Sequence, residues 1–110
     1  MSLYLMRFSY TPEAWARLIK KPEDRREVAR ALIEKLGGKL LGFWYGFGEY
    51  DGYVMIEAPN NVAAGAFSVG IASGGSLSSS QTTVLLTVEE TIEMLGMAQG
   101  LPYRAPGASS

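Results

Sequence analysis

The sequence predicts an α+β fold: a four-stranded antiparallel sheet with its main helices on one face, in the order βαββαβ, followed by one further C-terminal helix. Three observations predict it. Phe43 to Ile56 holds two aromatic, β-prone runs joined at a short Gly48-Glu49-Tyr50-Asp51 turn, the pattern of a central hairpin. Val28, Leu32 and Leu36 recur every four residues ahead of Gly37-Gly38, the pattern of an amphipathic helix with a left-handed stop. Thr87-Val88-Glu89-Glu90 carries the spacing of a capping box and opens a last helix. At 110 residues with 47% apolar content, the chain fits one domain, assigned to residues 1–98, and a C-terminal tail over 99–110 containing Gly, Pro and Ser.

The elements follow in order. Leu3 to Tyr10 is apolar and aromatic and stops at Thr11-Pro12, so it is a first strand. Thr11 then serves as N-cap and Pro12 as first helical residue for a short helix through about Lys20. Pro22 restarts helical structure, with Glu23 and Asp24 in its first turn and Ile33 beside the Val28-Leu32-Leu36 stripe that faces the core. Lys39 to Phe47 and Tyr50 to Ala58 form the hairpin. Pro59-Asn60-Asn61 breaks the third strand and caps a helix, Val62 to about Ser73, that has no charged residue and is therefore expected to be largely buried. Ser76 to Leu86 is a fourth strand rich in hydroxyls, and the last helix runs to about Ala98 with Ile92 and Leu95 as core candidates and Met94 or Met97 as oligomer contacts.

This order is the split βαβ or ferredoxin-like pattern, with right-handed crossovers. A sheet with one wet face alternates apolar and polar residues. These strands mostly do not. Strand one sets Leu3, Leu5, Arg7 and Ser9 against Tyr4, Met6, Phe8 and Tyr10, and strand two sets Leu41, Phe43, Tyr45 and Phe47 against Leu40, Gly42, Trp44 and Gly46. Both faces carry apolar area, so a homodimer packing sheet against sheet is expected to cover the second face.

Composition excludes much chemistry. The absence of His and Cys removes imidazole bases, thiolate nucleophiles, His-ligated haem and His/Cys zinc sites. Ten basic residues against eleven acidic ones, a formal charge of −1, give no general attraction to nucleic acid or anionic membrane. No run approaches the ~20 apolar residues of a membrane span, and no signal-peptide pattern opens the sequence, so a cytoplasmic location without nucleic-acid or membrane partners is expected. No cofactor is implied. Oxygen-only ligation of Mg²⁺ or Ca²⁺ by Glu49, Asp51 and Glu57 lacks the spacing of a dedicated loop, so no metal is expected.

Five residues are ligand-binding candidates: Arg7, Tyr10, Trp44, Tyr45 and Asp51. Arg7 sits within an apolar strand, where a charge needs a partner: a ligand carboxylate or enolate oxygen, Glu57, or a carboxylate of another subunit. Tyr10, Trp44 and Tyr45, with Trp15, are candidates to line an aromatic pocket for a flat metabolite; strand aromatics are more commonly core or interface. Asp51 and Glu49 flank Tyr50 as either an acid/base pair at a cleft mouth or, more commonly for such residues, turn amide caps and solvated charge. Ser76, Ser78, Ser80 and Thr82 share one strand face as a hydroxyl ladder or hydrated cavity. No catalytic residue is assigned.

Four segments, Ser9-Tyr10-Thr11-Pro12-Glu13, Leu36-Gly37-Gly38-Lys39-Leu40, Phe47-Gly48-Glu49-Tyr50-Asp51 and Leu85-Leu86-Thr87-Val88-Glu89-Glu90, resemble the GYD-domain family in the same order, across roughly residues 3 to 98. The resemblance implies a protomer of the dimeric α+β barrel type and carries over no catalytic set. Gly52, where the family tends to an aliphatic residue, and the Gly/Ser-rich run Gly74 to Ser80 are departures. The function expected is a homo-oligomeric module binding a small metabolite or serving in assembly. The alternatives are a small cofactor-independent monooxygenase, isomerase or cyclase, using Arg7, Tyr45 or Asp51, and a purely structural ring- or shell-forming protein.

Overall fold

The computed structural model describes residues 1–107; the last residues of the tail expected over 99–110 lie outside the described residues. Four antiparallel strands, β1 (Ser2–Tyr10), β2 (Lys39–Tyr45), β3 (Gly52–Ala58) and β4 (Leu77–Leu85), form one sheet in the order β2-β3-β1-β4. The two most apolar strands, β1 and β3, take the centre, where both edges are paired. The helices α1 (Pro12–Lys20), α2 (Arg26–Lys35) and α3 (Asn61–Ala72) occupy the two crossovers, and α4 (Val88–Gln99) follows β4. This is the expected ferredoxin-like α+β architecture.

Local chemistry sets most boundaries. Thr11 Oγ1 accepts from the N–H of Ala14 at 3.1 Å to cap α1, and Asn60 Oδ1 accepts from the N–H of Ala63 at 2.9 Å to cap α3. The capping box of α4 is complete: Glu90 N–H donates to Thr87 Oγ1 at 3.0 Å and Thr87 N–H donates to Glu90 Oε1 at 2.9 Å. At the end of α2, Gly37 has φ of +84°, Gly38 N–H reaches Ile33 O at 2.9 Å and Gly37 N–H reaches Glu34 O at 3.0 Å. These two bonds make a Schellman stop.

Three expectations are corrected here. The second helix begins at Arg26, not after Pro22, because the Asp24 carboxylate accepts from the N–H of Arg26 at 2.9 Å and pairs with its guanidinium at 2.8 Å. That local turn competes with helix and leaves Glu23 and Asp24 outside it. The hairpin connection spans residues 46–51, closed by Gly46 N–H to Asp51 O and tied to β1 by Asp51 N–H to Phe8 O, both 2.8 Å. In β2 a bulge at Leu41 shifts the register between Leu40 and Gly42, which turns Leu40 onto the same side as Phe43 and Tyr45.

The core lies between the sheet and the helix layer: Tyr4, Met6, Phe8, Val54, Ile56 and Ala58 from the strands meet Ala29, Ile33, Ala64 and Phe67 from α2 and α3. The opposite face presents Leu3, Leu5, Arg7, Tyr53, Met55 and Glu57, all half-buried, with no helix over it among the described residues. Two helices also depart from expectation. The uncharged α3 buries Ala64 and Phe67 but leaves Val62 and Val69 exposed, since only one side of it meets the sheet. None of α4 is buried: Ile92 and Leu95 are 64% and 58% exposed, so they are not core residues of this chain. The extents reach 64 × 32 × 21 Å and the radius of gyration 18.2 Å, against about 13 Å for a compact chain of this length. No helix among the described residues is long and apolar enough to cross a membrane.

Candidate functional site: an aromatic cluster and an apolar cavity beneath the helices

Strand alternation places Tyr10, the last residue of β1, on the helix side after Tyr4, Met6 and Phe8. The β2 bulge delivers Phe43 and Tyr45 to the same side, and Trp15 comes down from the first turn of α1. Their rings meet edge to face: Phe8–Tyr10 at 5.1 Å and 72°, Tyr10–Trp15 at 5.0 Å and 79°, and Phe8–Phe43 at 5.9 Å and 80°. The Tyr45 ring lies tilted at 45° to that of Phe43 with centroids 5.1 Å apart, and its hydroxyl lies 3.2 Å from that of Tyr10. Space for this packing comes from Gly52 in β3, where a Cβ would run into the ring of Phe8.

Asp51 anchors the cluster. Its Oδ2 accepts from the backbone N–H of Tyr10 at 2.9 Å and from Trp15 Nε1 at 3.2 Å, joining β1, α1 and the hairpin connection. The carboxylate thus satisfies donors of β1 and α1, in the manner of the capping alternative weighed from the sequence, though across elements and not within its own turn. Burial, and then the hydrogen bond with Tyr45, push the Tyr10 hydroxyl above the usual phenol range. It is protonated at neutral pH and available as a donor.

Of the five candidates, Tyr10, Tyr45 and Asp51 come together, and Arg7 and Trp44 do not join them. Register puts both on the open sheet face, Arg7 across from Tyr53 and Gln81, Trp44 across from Tyr53. Trp44 is 54% exposed and folds its indole over Gly42. Arg7 Nη2 donates to Gln81 Oε1 at 2.7 Å, Tyr50 OH donates to the same oxygen at 2.8 Å, and the guanidinium lies 4.7 Å from the Tyr50 ring centroid. Its Nε is buried without a partner among the described residues, and ion pairs among those residues join Arg25–Glu23, Arg26–Asp24 and Arg30–Glu27, not Arg7–Glu57. The hydroxyl ladder is likewise divided. Ser80 and Thr82 face the helices, where Thr82 meets Ser68 at 2.6 Å; Ser78 sits at a register irregularity and Ser76 precedes the strand. No carboxylate cluster able to hold a metal forms among the described residues.

Beyond the aromatic cluster the helix layer parts. Between α2, the end of α3 and the sheet lies a cavity of about 230 Å³, lined by Met6, Phe8, Val28, Leu32, Phe43 and Ile71. Val28 and Leu32, the stripe expected in the core, instead line this space and remain 42% and 39% exposed. Tyr10, Arg25 and Ser76 line both this cavity and an adjoining cleft of about 420 Å³ bordered by Arg17, Lys20 and Lys21. Arg25 and its basic neighbours were not among the residues the sequence singled out. The signal that marks them is local: Arg17, Lys20, Lys21 and Arg25 fall within one short stretch of a chain whose total charge is −1.

The sequence matches the family described as GYD domain over residues 4–95. The chain belongs to the GYD domain family. A comparison with curated proteins finds no match. Among solved structures, this GYD domain is similar to a NIPSNAP domain protein of Burkholderia xenovorans, with a TM-score of 0.51, 12% identity, and coverage of 80% of this chain and 95% of that one. It is similar to FFRP-DM1, with a TM-score of 0.50, 15% identity, and coverage of 78% and 100%. It is also similar to a transcriptional regulator of Neisseria meningitidis in complex with L-Met, with a TM-score of 0.51, 19% identity and 79% of this chain covered; the GYD domain spans 51% of that regulator. At these identities the likeness is one of fold.

Proposed function

We propose that this GYD domain is a homo-oligomeric module that holds a small molecule between its helices and its sheet. The observation that carries the reading is the cavity itself: the domain's own side chains leave an apolar space open beside a donor-bearing mouth of Tyr10, Arg25 and Ser76. Ligand sites have that composition, apolar walls with a few polar groups that fix orientation. Cavity-lining side chains pay the loss of packing partners unless something fills the space. A regulator of similar fold is in complex with L-Met, which fits small-molecule binding as a use of such a frame.

Oligomerisation rests on two uncovered surfaces, the apolar sheet face with Leu3, Leu5 and Met55 and the wholly unburied α4. A second copy packed sheet to sheet, with α4 against its partner, removes both from water. Assembly as a further use is favoured by Val62 and Val69 on α3, which sheet-to-sheet packing leaves exposed.

Trp44→Phe leaves Trp15, which packs on the mouth residue Tyr10 at 5.0 Å, as the sole indole of the chain, and its fluorescence serves as the reporter. Titration with a panel of small metabolites is expected to shift that emission saturably for at least one of them. A panel that shifts neither emission nor melting temperature contradicts small-molecule binding.

A further inference from the structure

We propose, building on the small-molecule reading above, that the cavity takes a compact amphipathic carboxylate, its apolar body against Phe43 and Leu32 and its carboxylate at the Tyr10–Arg25 mouth. The shape argues for the body. A space of about 230 Å³ walled by Met6, Phe8, Val28, Leu32, Phe43 and Ile71 has room for on the order of ten non-hydrogen atoms at interior packing density. A fully polar ligand would leave its groups there without partners.

The charge argues for the head. Around the mouth and the adjoining cleft stand Arg17, Lys20, Lys21 and Arg25 against Glu23, four positive groups to one negative. The whole chain carries −1, so this excess belongs to the site and not to the composition. Arg25 pairs with Glu23 at 2.9 Å, yet both side chains are substantially exposed, at 37% and 50%, and a screened surface pair of that kind yields readily to a competing carboxylate. The guanidinium fork suits bidentate recognition of that group. The Tyr10 hydroxyl, kept protonated by burial, adds a neutral donor at the same point, with Tyr45 placed to donate to its oxygen. An ammonium head meets four like charges there, and an alcohol makes no use of them.

Gly70 supplies a way to close the site without unfolding the domain. It lines the cavity, and a Cβ built on it meets nothing within 4 Å. Gly70→Leu therefore adds a side chain at the wall of the space, with no clash at its Cβ, while replacing a poor helix former with a good one.

The test is calorimetric titration of the unaltered protein, Arg25→Gln and Gly70→Leu with octanoate, 1-octanol and octylammonium, three probes of one body and different heads. The proposal expects octanoate to bind the unaltered protein about tenfold or more tighter than octanol, with octylammonium weakest. Arg25→Gln is expected to bring octanoate to the level of octanol without changing octanol binding, and Gly70→Leu, folded by circular dichroism, to abolish both. Equal binding of octanoate and octanol by the unaltered protein overturns the carboxylate assignment while leaving the small-molecule reading intact. Octanoate binding that survives Gly70→Leu overturns the location. Binding of none of the three overturns the proposal and, with a silent metabolite panel, the reading beneath it.

Discussion

The carboxylate of Asp51 accepts a hydrogen bond from the backbone N–H of Tyr10 across 2.9 Å, and the same oxygen takes Trp15 Nε1 at 3.2 Å. One side chain in the hairpin connection thereby fixes the end of β1 and the start of α1, the two pieces that frame the aromatic cluster. Hydrogen bonds to a charged acceptor contribute about 1.5–3 kcal/mol each when removal strands a partner. Asp51→Ala is expected to lower unfolding free energy by about 2–3 kcal/mol in urea titrations, and Asp51→Asn, which keeps one acceptor oxygen, by about 1 kcal/mol. Equal stability of all three proteins would show that the carboxylate braces nothing.

Gly52 and Phe8 make a second coupled pair. A methyl group at position 52 meets the Phe8 ring, so Gly52→Ala is expected to cost about 1–3 kcal/mol through overpacking. Phe8→Leu on that background should recover part of the loss, and a double-mutant cycle reads the coupling. Additive single effects would place the ring elsewhere.

The open face and α4 separate folding from association. Because Ile92 is 64% exposed and α4 buries nothing within the chain, Ile92→Asp is expected to leave the far-ultraviolet spectrum of the monomer unchanged and to lower the sedimenting mass. A mass unaffected by the substitution would remove α4 from the interface.

Tyr10 gives the stability a pH dependence on the alkaline side. The folded protein holds this proton above the ordinary phenol value of about 10, so the stability it contributes is complete below that value and is lost as pH rises beyond it. Tyr10→Phe is expected to flatten the decline in unfolding free energy measured between pH 9 and pH 11, a window on the order of one unit either side of that value. An unchanged slope would mean that Tyr10 titrates as a free phenol.

Much of this architecture is written in local chemistry. The caps at Thr11, Asn60 and Thr87 and the Schellman glycines Gly37-Gly38 are short-range bonds between residues a few positions apart, so the sequence displays them directly. Features that depend on distant chain are another matter. The bulge at Leu41 has no compositional mark, yet it decides that Leu40 shares a side with Phe43. The Asp24–Arg26 turn delays α2 because a side chain outbids a helical hydrogen bond, a competition that the Pro22 signal does not reveal. In α3 and α4 the apolar content announces a surface that favours cover; nothing in a helical pattern says whether the same chain provides it. The site divides along the same line. Tyr10, Tyr45 and Asp51 are neighbours because the hairpin connection returns to β1, while the parity of the β2 register sends Trp44 to the opposite face. Arg25 joins the mouth through the packing of α2, which no motif encodes.

The most direct measurement is native mass spectrometry of the protein purified gently from its expression host. A mass that is a multiple of the 11.9 kDa chain, with an additional mass on the order of 150 daltons per chain that Gly70→Leu eliminates, about that of ten non-hydrogen atoms, is the result expected of an oligomer carrying a small molecule in the cavity. A bare monomer at micromolar concentration would contradict the account.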